Sequence, residues 1–278
     1  MKKIGLALSG GAAYGLAHIG VIKQLIKNNI PIDYISGTSM GALIGGLFCA
    51  GIDVEKMESI LEKSKRKMII DFNVFGLVES GLLHGKKVVE FLKNLVGEIN
   101  IEDLSIPFSA IAGDIKSSKK YVFNSGSLVE AIRASISIPG IFKPVEKDDM
   151  CLVDGGVCDN LPVDEARNLG AEIVIGVDVC TFYRQNPKQK SVVDILINSA
   201  NMALCHMVSA QADKGDVYIK IDQPDVLADQ LNYQNSFNAI KNGESAAKKA
   251  MPKIKELLGI KSQTRSKRCQ NTKKTVVN

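Results

Sequence analysis

A serine between two glycines, at the junction of a strand and a helix, constrains the fold of this chain more than any other feature. Residues 37–41 read Gly-Thr-Ser-Met-Gly, between a predicted strand at Tyr34–Ser36 and an apolar helix predicted at Met40–Ala50. In this G-x-S-x-G pattern the glycines permit a sharp turn that exposes the serine hydroxyl at the helix N-terminus. The helix dipole favours the alkoxide-like character that develops during attack. The pattern therefore predicts an α/β fold with Ser39 as a candidate nucleophile.

Strand-like and helical segments alternate along most of the chain. Besides Tyr34–Ser36, strands are predicted at Lys3–Leu8, Phe108–Ala112, Tyr121–Phe123, Cys151–Val153, Ile173–Val177 and Val217–Ile221. Besides Met40–Ala50, helices are predicted at Leu16–Asn28, Val54–Ser64, Leu128–Ile136, Val163–Leu169 and Val192–Gln211. Val-, Ile- and Leu-rich strands without clean alternation are typical of a parallel sheet covered on both faces. We therefore predict one α/β domain over residues 1–260, with a single core sheet and helices outside it.

Two segments depart from this alternation. Residues 63–105 begin with a basic cluster of Lys63, Lys65, Arg66 and Lys67 and continue through the apolar run MIIDFNVFGLV. One interpretation is a solvated helix end followed by a packed strand or loop. The other is a lid over a pocket that also touches an anionic membrane surface. Residues 261–278 form a basic tail with nothing to pack, and we expect this tail to be disordered.

The distribution of charge argues against nucleic acid as a partner. The chain carries 35 basic and 30 acidic residues, a formal net charge of +5. Six of the basic residues and none of the acidic ones lie in the tail, so the rest of the chain holds 29 basic against 30 acidic groups. That part is close to neutral and lacks the basic face that binds phosphate backbones.

Cysteine usage and hydropathy predict a cytoplasmic location. The six cysteines include no CxxC pair and form no zinc signature with the three histidines, so they are interpreted as thiols in a reducing compartment. No run is long and apolar enough to span a bilayer. The apolar core of the N-terminal segment, Ile4–Leu8, is also short for a signal peptide.

A glycine-rich loop, Ser9–Gly15, follows the first predicted strand and opens the first helix. Its backbone N–H groups and the helix N-terminus are suited to bind an anion, either a phosphate or a developing oxyanion. A dinucleotide loop would need an acidic residue at the end of the second strand, but residues 34–38 contain none and Asp33 precedes that strand. The loop and the serine turn both follow the carboxyl ends of successive strands, where open α/β sheets place their sites.

A nucleophilic serine needs a base, and the three histidines His18, His84 and His206 are weak candidates. The order Ser39, Asp154, His206 satisfies an α/β-hydrolase triad. However, a triad histidine belongs on a loop near the serine, whereas His206 lies in a helical run. An α/β-hydrolase also usually has several strands before its serine turn, and here only two precede it. His18 lies among apolar residues of the first helix and is interpreted as a packed side chain.

Asp154 is the stronger candidate for the base. It lies in LVDGGV, at the end of an apolar strand, and the following Gly155 and Gly156 allow a close turn that leaves the carboxylate at the sheet edge. The competing interpretation is a plain Asp-Gly turn. A carboxylate within hydrogen-bond distance of the serine hydroxyl can accept its proton, especially if partial burial raises its pKa.

Together these motifs resemble the patatin-like phospholipase family. The resemblance is carried by SGGAAYGLAHIGV, GTSMG and VDGG in that order. The segments RASISIPGIFKPV (Arg133–Val145) and GLLHGKKVVEFL (Gly81–Leu92) are similar to further family segments. The likeness covers about residues 4–180 and leaves the tail outside it.

The resemblance implies a Ser–Asp dyad on a three-layer α/β/α fold with a mainly parallel sheet. Ser39 matches the family nucleophile and Asp154 the general base. The oxyanion hole matches the backbone N–H groups of Gly10, Gly11, Ala12 and Ala13. The supporting motif positions are Tyr14, Gly15, Gly37, Gly41, Gly155 and Gly156. Two of these residues depart from the family pattern, since Ala12 stands at a common glycine position and Tyr14 where an Arg or Lys is common.

The expected activity is hydrolysis of acyl esters of phospholipids or lysophospholipids, without a metal or another cofactor. A lipid or acyl ester is then the partner, and peripheral contact with the anionic inner membrane surface is a further expectation. Two alternatives remain open. One is an esterase or thioesterase on soluble acyl compounds, and the other is a non-catalytic lipid-binding regulatory protein of the same fold. The oligomeric state stays open.

Overall fold

An eight-stranded sheet forms the middle of the computed structural model, which describes residues 2–63, 84–179, 192–221 and 233–260. Its strands are β1 (Ile4–Leu8), β2 (Tyr34–Thr38), β3 (Phe108–Asp114), β4 (Lys119–Phe123), β5 (Val145–Lys147), β6 (Met150–Asp154), β7 (Ile173–Asp178) and β8 (Val217–Lys220). The order is β5-β6-β3-β2-β1-β7-β8, and β4 also pairs with β3. Strands β3, β2, β1, β7 and β8 are parallel, while β4 and β6 run antiparallel to β3 and β5 antiparallel to β6.

Helices surround the sheet, and most of them lie where the sequence predicts them. They are α1 (Ala17–Lys27), α2 (Met40–Cys49), α3 (Val54–Lys63), α4 (Lys86–Val96), α5 (Leu128–Ser135), α6 (Val163–Asn168), α7 (Val192–Ala212) and α8 (Tyr233–Leu257). Among the described residues, short 3-10 helices cover Ala12–Leu16, Ile101–Asp103 and Gly155–Val157. The sequence did not predict α4 and α8 as helices. In α8, Gly243 and Pro252 interrupt the helical pattern, because both residues disfavour helix interiors.

Side chains of the central strand β1 point alternately into two separate cores. Ile4, Leu6 and Leu8 are fully buried in the larger core, which also takes apolar residues of α1, α2, α5 and α8. Ala7 belongs to the smaller core, formed with apolar residues of α6 and α7. Fully burying one such large aliphatic side chain is worth about 1.5–3 kcal/mol. Since helices bury apolar faces on both sides of the sheet, the predicted three-layer α/β/α fold is confirmed.

Helices α1 and α8 touch through their backbones at two glycines. A Cβ atom on Gly20 would lie 2.0 Å from the carbonyl oxygen of Ile240, and one on Gly243 would lie 2.0 Å from that of Ala17. Glycine costs roughly 0.8–1.0 kcal/mol relative to alanine inside a helix. Here it permits an approach that no larger residue allows, so α8 lies directly over α1.

Parts of two predicted segments lie outside the described residues. Of the segment 63–105, residues 64–83 are among these, so the predicted lid or membrane-docking role is not addressed there. The remainder contains α4, whose buried Val88 and Leu92 face the core and which packs against α5. The basic tail, residues 261–278, also lies outside. In the described ranges, no helix combines the length and apolar character needed to cross a membrane.

Candidate active site

Ser39 lies in a strained turn between β2 and α2. Its backbone has φ +53° and ψ −120°, a conformation that costs a side-chain-bearing residue roughly 1–3 kcal/mol. Both flanking glycines are required by close packing. A Cβ on Gly37 would lie 2.5 Å from the carbonyl oxygen of Gly41, and a Cβ on Gly41 would lie 2.2 Å from that of Leu8. The turn is thus pressed against the end of β1, with the serine at the N-terminus of α2.

The side chains of Ser39 and Asp154 form a direct hydrogen bond. The Ser39 hydroxyl Oγ donates to Asp154 Oδ2 over 2.5 Å, and both residues are about 6% exposed. Asp154 ends β6 and pairs with Ala112 of β3, while Thr38 at the end of β2 pairs with the preceding residue, Ile111. Because β4 occupies the opposite edge of β3, β2 and β6 meet end to end along the same edge. A Cβ on Gly155 would lie 2.3 Å from the carbonyl oxygen of Ile111 in β3, so this turn also needs glycine.

Further hydrogen bonds orient the Asp154 carboxylate. Oδ1 of Asp154 accepts from the Gly156 N–H over 2.8 Å. The backbone N–H of Asp154 donates to the carbonyl oxygen of Ser137 over 2.9 Å and fixes the main chain that carries the carboxylate. Burial raises the pKa of Asp154 from 3.8 to about 6, while the hydrogen bonds from Ser39 and Gly156 act in the opposite direction. The carboxylate is therefore ionised above about pH 6 and is then a stronger base than an exposed one.

The glycine-rich loop lies against the serine turn. A Cβ on Gly10 would lie 3.1 Å from Cβ of Ser39 and 2.5 Å from Oδ1 of Asn160. The Gly10 N–H itself donates to the carbonyl oxygen of Asn160 over 3.2 Å. The first intrahelical hydrogen bond of the following 3-10 helix runs from Tyr14 N–H to the carbonyl oxygen of Gly11 over 3.1 Å. Amides that precede this bond, at Gly11, Ala12 and Ala13, have no acceptor inside that helix.

The supporting positions of the loop are fixed by packing. A Cβ on Gly11 would lie 2.4 Å from Cγ2 of Val179, and a Cβ on Gly15 would lie 2.3 Å from Cγ of Met40. Tyr14 is partly buried and packs against the larger core. Ala12 has φ +46°, which is a conformation favoured by glycine. The departure of Ala12 from the family pattern therefore falls where the backbone is left-handed.

Two polar groups that hold the serine turn were missed by the sequence analysis. The Ser39 N–H donates to Oγ of Ser135 over 2.8 Å, and Oγ1 of Thr38 donates to the carbonyl oxygen of Asp159 over 2.7 Å. Asp159 forms an ion pair with Lys120 at 2.8 Å, which anchors this part of the chain to β4. Two features of the sequence could have indicated these contacts. They are the serine at position 135 in the run RASIS and the polar pair Asp159-Asn160 after the Asp-Gly-Gly turn.

The histidine and dinucleotide alternatives find no support in the geometry. His18 is buried, its Nε2 lies 2.8 Å from the carbonyl oxygen of Ser9, and burial lowers its pKa to about 4. His206 is exposed on α7, and the Ser39 hydroxyl contacts Asp154 instead. Asp33 accepts from the N–H of Ile4, at the start of β1 and thus at the opposite end of that strand from the glycine-rich loop. In the described ranges, no three metal-ligating side chains are grouped to hold an ion.

Comparisons with known proteins agree with the motifs. The family profile described as "Patatin-like phospholipase" matches residues 6–167. An uncharacterized NTE family protein of Mycobacterium tuberculosis is 36% identical over 177 residues, which are 64% of this chain and 49% of that protein. The neuropathy target esterase sws of Drosophila melanogaster is 35% identical over 183 residues, 64% of this chain and 13% of that protein.

A solved structure with a similar course of the chain is VipD from Legionella pneumophila. It is 14% identical, with a TM-score of 0.49, and the match covers 92% of this chain and 67% of VipD. The chain spans about half the length of the mycobacterial relative and a smaller part of the fly protein. The profile match covers more than half of the chain, and by this match the chain belongs to the patatin-like phospholipase family.

Proposed function

We propose that this chain is a serine acyl hydrolase that cleaves acyl esters of phospholipids or lysophospholipids through Ser39 and Asp154. Membership of the patatin-like phospholipase family supports a lipid acyl hydrolase in general. The observation that carries the finer assignment is the 2.5 Å hydrogen bond from the Ser39 hydroxyl to a buried carboxylate. A nucleophile in contact with its base, at a helix N-terminus, is the arrangement that covalent acyl transfer requires.

In the first step, Asp154 takes the proton of the Ser39 hydroxyl while Oγ attacks the ester carbonyl carbon. The carbonyl oxygen becomes a tetrahedral oxyanion. The Gly10–Ala13 loop lies beside Ser39 and is the proposed source of stabilising N–H donors, chiefly Gly11, Ala12 and Ala13, because the Gly10 N–H is bonded to Asn160. One such donor is typically worth a factor of about 10²–10³ in kcat.

In the second step, the tetrahedral intermediate collapses and the carbon–oxygen bond to the leaving alcohol breaks. The protonated Asp154 gives its proton to that oxygen, which leaves an acyl group on Ser39. Asp154 then removes a proton from a water molecule that attacks the acyl carbon, and the proton returns to Ser39 as the fatty acid leaves. A pKa near 6 suits both directions of transfer, because the carboxyl group changes its protonation state close to neutral pH.

Labelling by a fluorophosphonate probe, read by intact mass, tests this proposal. We expect a single adduct on the wild type, none on Ser39→Ala and much slower labelling of Asp154→Asn. Ser199→Ala is the matched control, because Ser199 is exposed on α7 and its hydroxyl donates to the carbonyl oxygen of Ile195 within the same helix. A folded wild-type protein that forms no adduct, or a Ser39→Ala protein that still forms one, would contradict the proposal.

A substrate comparison separates lipid esters from soluble esters. We expect hydrolysis of a lysophospholipid to rise sharply above its critical micelle concentration and to exceed that of p-nitrophenyl butyrate in kcat/KM. Loss of Ser39 or Asp154 should reduce kcat by several orders of magnitude, because the two residues act as a unit. Equal or better turnover of the soluble ester, without an effect of micelles, would favour the soluble esterase instead.

A further inference from the structure

A cavity of about 520 Å³ lies between α4 and the chain that links α5 to β5. Its charged lining residues are Lys86, Glu90 and Lys93 on α4, together with Arg133 on α5. Val89 and Val145 contribute apolar surface. Three cationic side chains against one carboxylate give the lining a positive charge. The volume falls within the range of small-molecule sites, roughly 300–1,000 Å³, and the cavity is open to solvent on one side.

Arg133 is a buried cation that is held by neutral groups. Its guanidinium donates to Ser137 Oγ over 2.5 Å and to the carbonyl oxygens of Lys143 and His84 over 2.9 and 3.3 Å. It lies 5.1 Å from the ring centre of Phe142. Gly85, at φ +69°, also lies against the guanidinium, and a Cβ there would come within 2.1 Å of the Arg133 Nε.

This environment leaves the charge of Arg133 without an anionic partner in the described part of the chain. Arg133 is 6% exposed, and burial lowers its pKa with no carboxylate opposing the effect. Burying an ion costs several kcal/mol, which neutral oxygens offset only in part. An anion in the adjoining cavity would supply the missing compensation.

The cavity and the catalytic pair share the end of α5. Arg133 donates to Ser137, whose carbonyl oxygen accepts the N–H of Asp154. Ser135, between them in the chain, accepts the N–H of Ser39. A ligand bound by Arg133 therefore contacts the same short stretch that positions both residues of the proposed reaction.

We propose that this cavity binds a phosphate group between Arg133, Lys86 and Lys93, and that the group is the headgroup phosphate of the lipid whose acyl ester reaches Ser39. The second part rests on the proposed function. A guanidinium and two ammonium groups are opposite in charge to a phosphodiester and donate hydrogen bonds to its acceptor oxygens. Lys86 and Lys93 are exposed on α4, on the solvent side of the ligand. Lys93 forms an ion pair with Glu98 at 2.7 Å and exchanges this partner for the phosphate, so the test is made at Lys86. Glu90 opposes binding, which gives the test a residue of opposite sign.

The first test measures binding without turnover, on the Ser39→Ala protein. Inorganic phosphate and glycerophosphocholine are each titrated by calorimetry, on that background and with one further substitution. We expect Lys86→Glu to weaken binding at least tenfold and Glu90→Gln to tighten it severalfold. Lys87→Glu makes the same charge change at a position outside the cavity lining and should stay within twofold. Absence of binding at millimolar concentrations, or equal effects of Lys86→Glu and Lys87→Glu, would overturn the site.

The two probes distinguish the source of the phosphate. Binding of both supports a lipid headgroup, whereas binding of inorganic phosphate alone would overturn the headgroup assignment and leave a site for free phosphate. Arg133 is not substituted, because it also ties the His84 and Lys143 carbonyls together and its loss tests folding. The Lys86 and Glu90 variants change exposed side chains and leave that network in place.

The second test compares kcat/KM for lysophosphatidylcholine with that for p-nitrophenyl butyrate, which has no phosphate. We expect Lys86→Glu to lower the ratio of the two values about tenfold, through KM of the lysophospholipid, and Lys87→Glu to leave it within twofold. An unchanged ratio in Lys86→Glu would overturn the headgroup assignment. If no variant hydrolyses either ester and the wild type forms no fluorophosphonate adduct, the proposed function fails, while the titrations still decide whether the cavity binds phosphate.

Discussion

Replacing Asp154 by asparagine should stabilise the folded protein at neutral pH while removing its proposed activity. Burial raises the pKa of this carboxyl group from 3.8 to about 6. Because the pKa is higher in the folded than in the unfolded protein, the protonated carboxyl group contributes fully to the free energy of unfolding below pH 3.8. This contribution is lost as the pH rises through 6. The shift spans about two pKa units at roughly 1.4 kcal/mol each, so the cost at pH 8 is about 3 kcal/mol. Asparagine keeps the shape of the side chain and avoids this cost.

Urea unfolding of the wild type and Asp154→Asn, at intervals from about pH 4 to pH 8, measures the difference. We expect a small gain at pH 4, about half of the full value near pH 5 and the full value above pH 7. Asp114→Asn is the control of opposite sign, because hydrogen bonds from Ser117 and from the Cys151 N–H hold the pKa of Asp114 at about 2. A gain in Asp154→Asn that is independent of pH, or largest in acid, would refute the reasoning that burial penalises the ionised carboxylate.

Three further predictions concern the same fold. Because Asp154 must be ionised to accept a proton, kcat/KM on a soluble ester should fall about tenfold per unit below pH 6, and a flat profile there would exclude it as the base. Ala12 has φ +46°, so Ala12→Gly should raise the free energy of unfolding by about 0.5–1 kcal/mol, whereas Ala13→Gly should lower it. If urea unfolding shows that both substitutions change the free energy of unfolding in the same direction, Ala12 is not strained. Gly243→Ala should lower the free energy of unfolding by about 2–4 kcal/mol, because a Cβ there has no room against α1. Gly126→Ala, at φ +79° with nothing within 4 Å of a Cβ, should lower it by about 1 kcal/mol. Similar decreases in melting temperature for the two variants would argue against the close contact between α1 and α8.

The parts of the site that the sequence predicted depend on local backbone geometry. Gly37 and Gly41 around Ser39 mark a turn that other residues cannot form, and the Asp-Gly-Gly run marks a second one at the end of a strand. Such turns leave a signal within a few residues of sequence. The register on β3 then brings Ser39 and Asp154 together, because Thr38 pairs with Ile111 and Asp154 with the next residue, Ala112.

Other parts of the site left no such signal because they use backbone atoms of distant segments. The loop and the serine turn are held by the carbonyl oxygens of Asn160 and Asp159, and a carbonyl is present whatever the side chain. The cavity beside Arg133 depends on where α4 packs, and α4 lies in a segment whose pattern allowed two interpretations. Helix α8 was missed because Gly243 breaks its periodicity, although that glycine is what lets the helix pack.

The position of β7 in the sheet determines how the chain can be cut for expression. Strand β1 pairs with β2 on one side and with β7 on the other, and β7 comes after the end of the family match at residue 167. A fragment limited to residues 6–167 contains both Ser39 and Asp154 but exposes one edge of the fully buried strand β1. Exposed apolar strand edges pair with other chains, so such a fragment is expected to aggregate. A minimal soluble fragment therefore has to continue through β8 and α8, which covers α1.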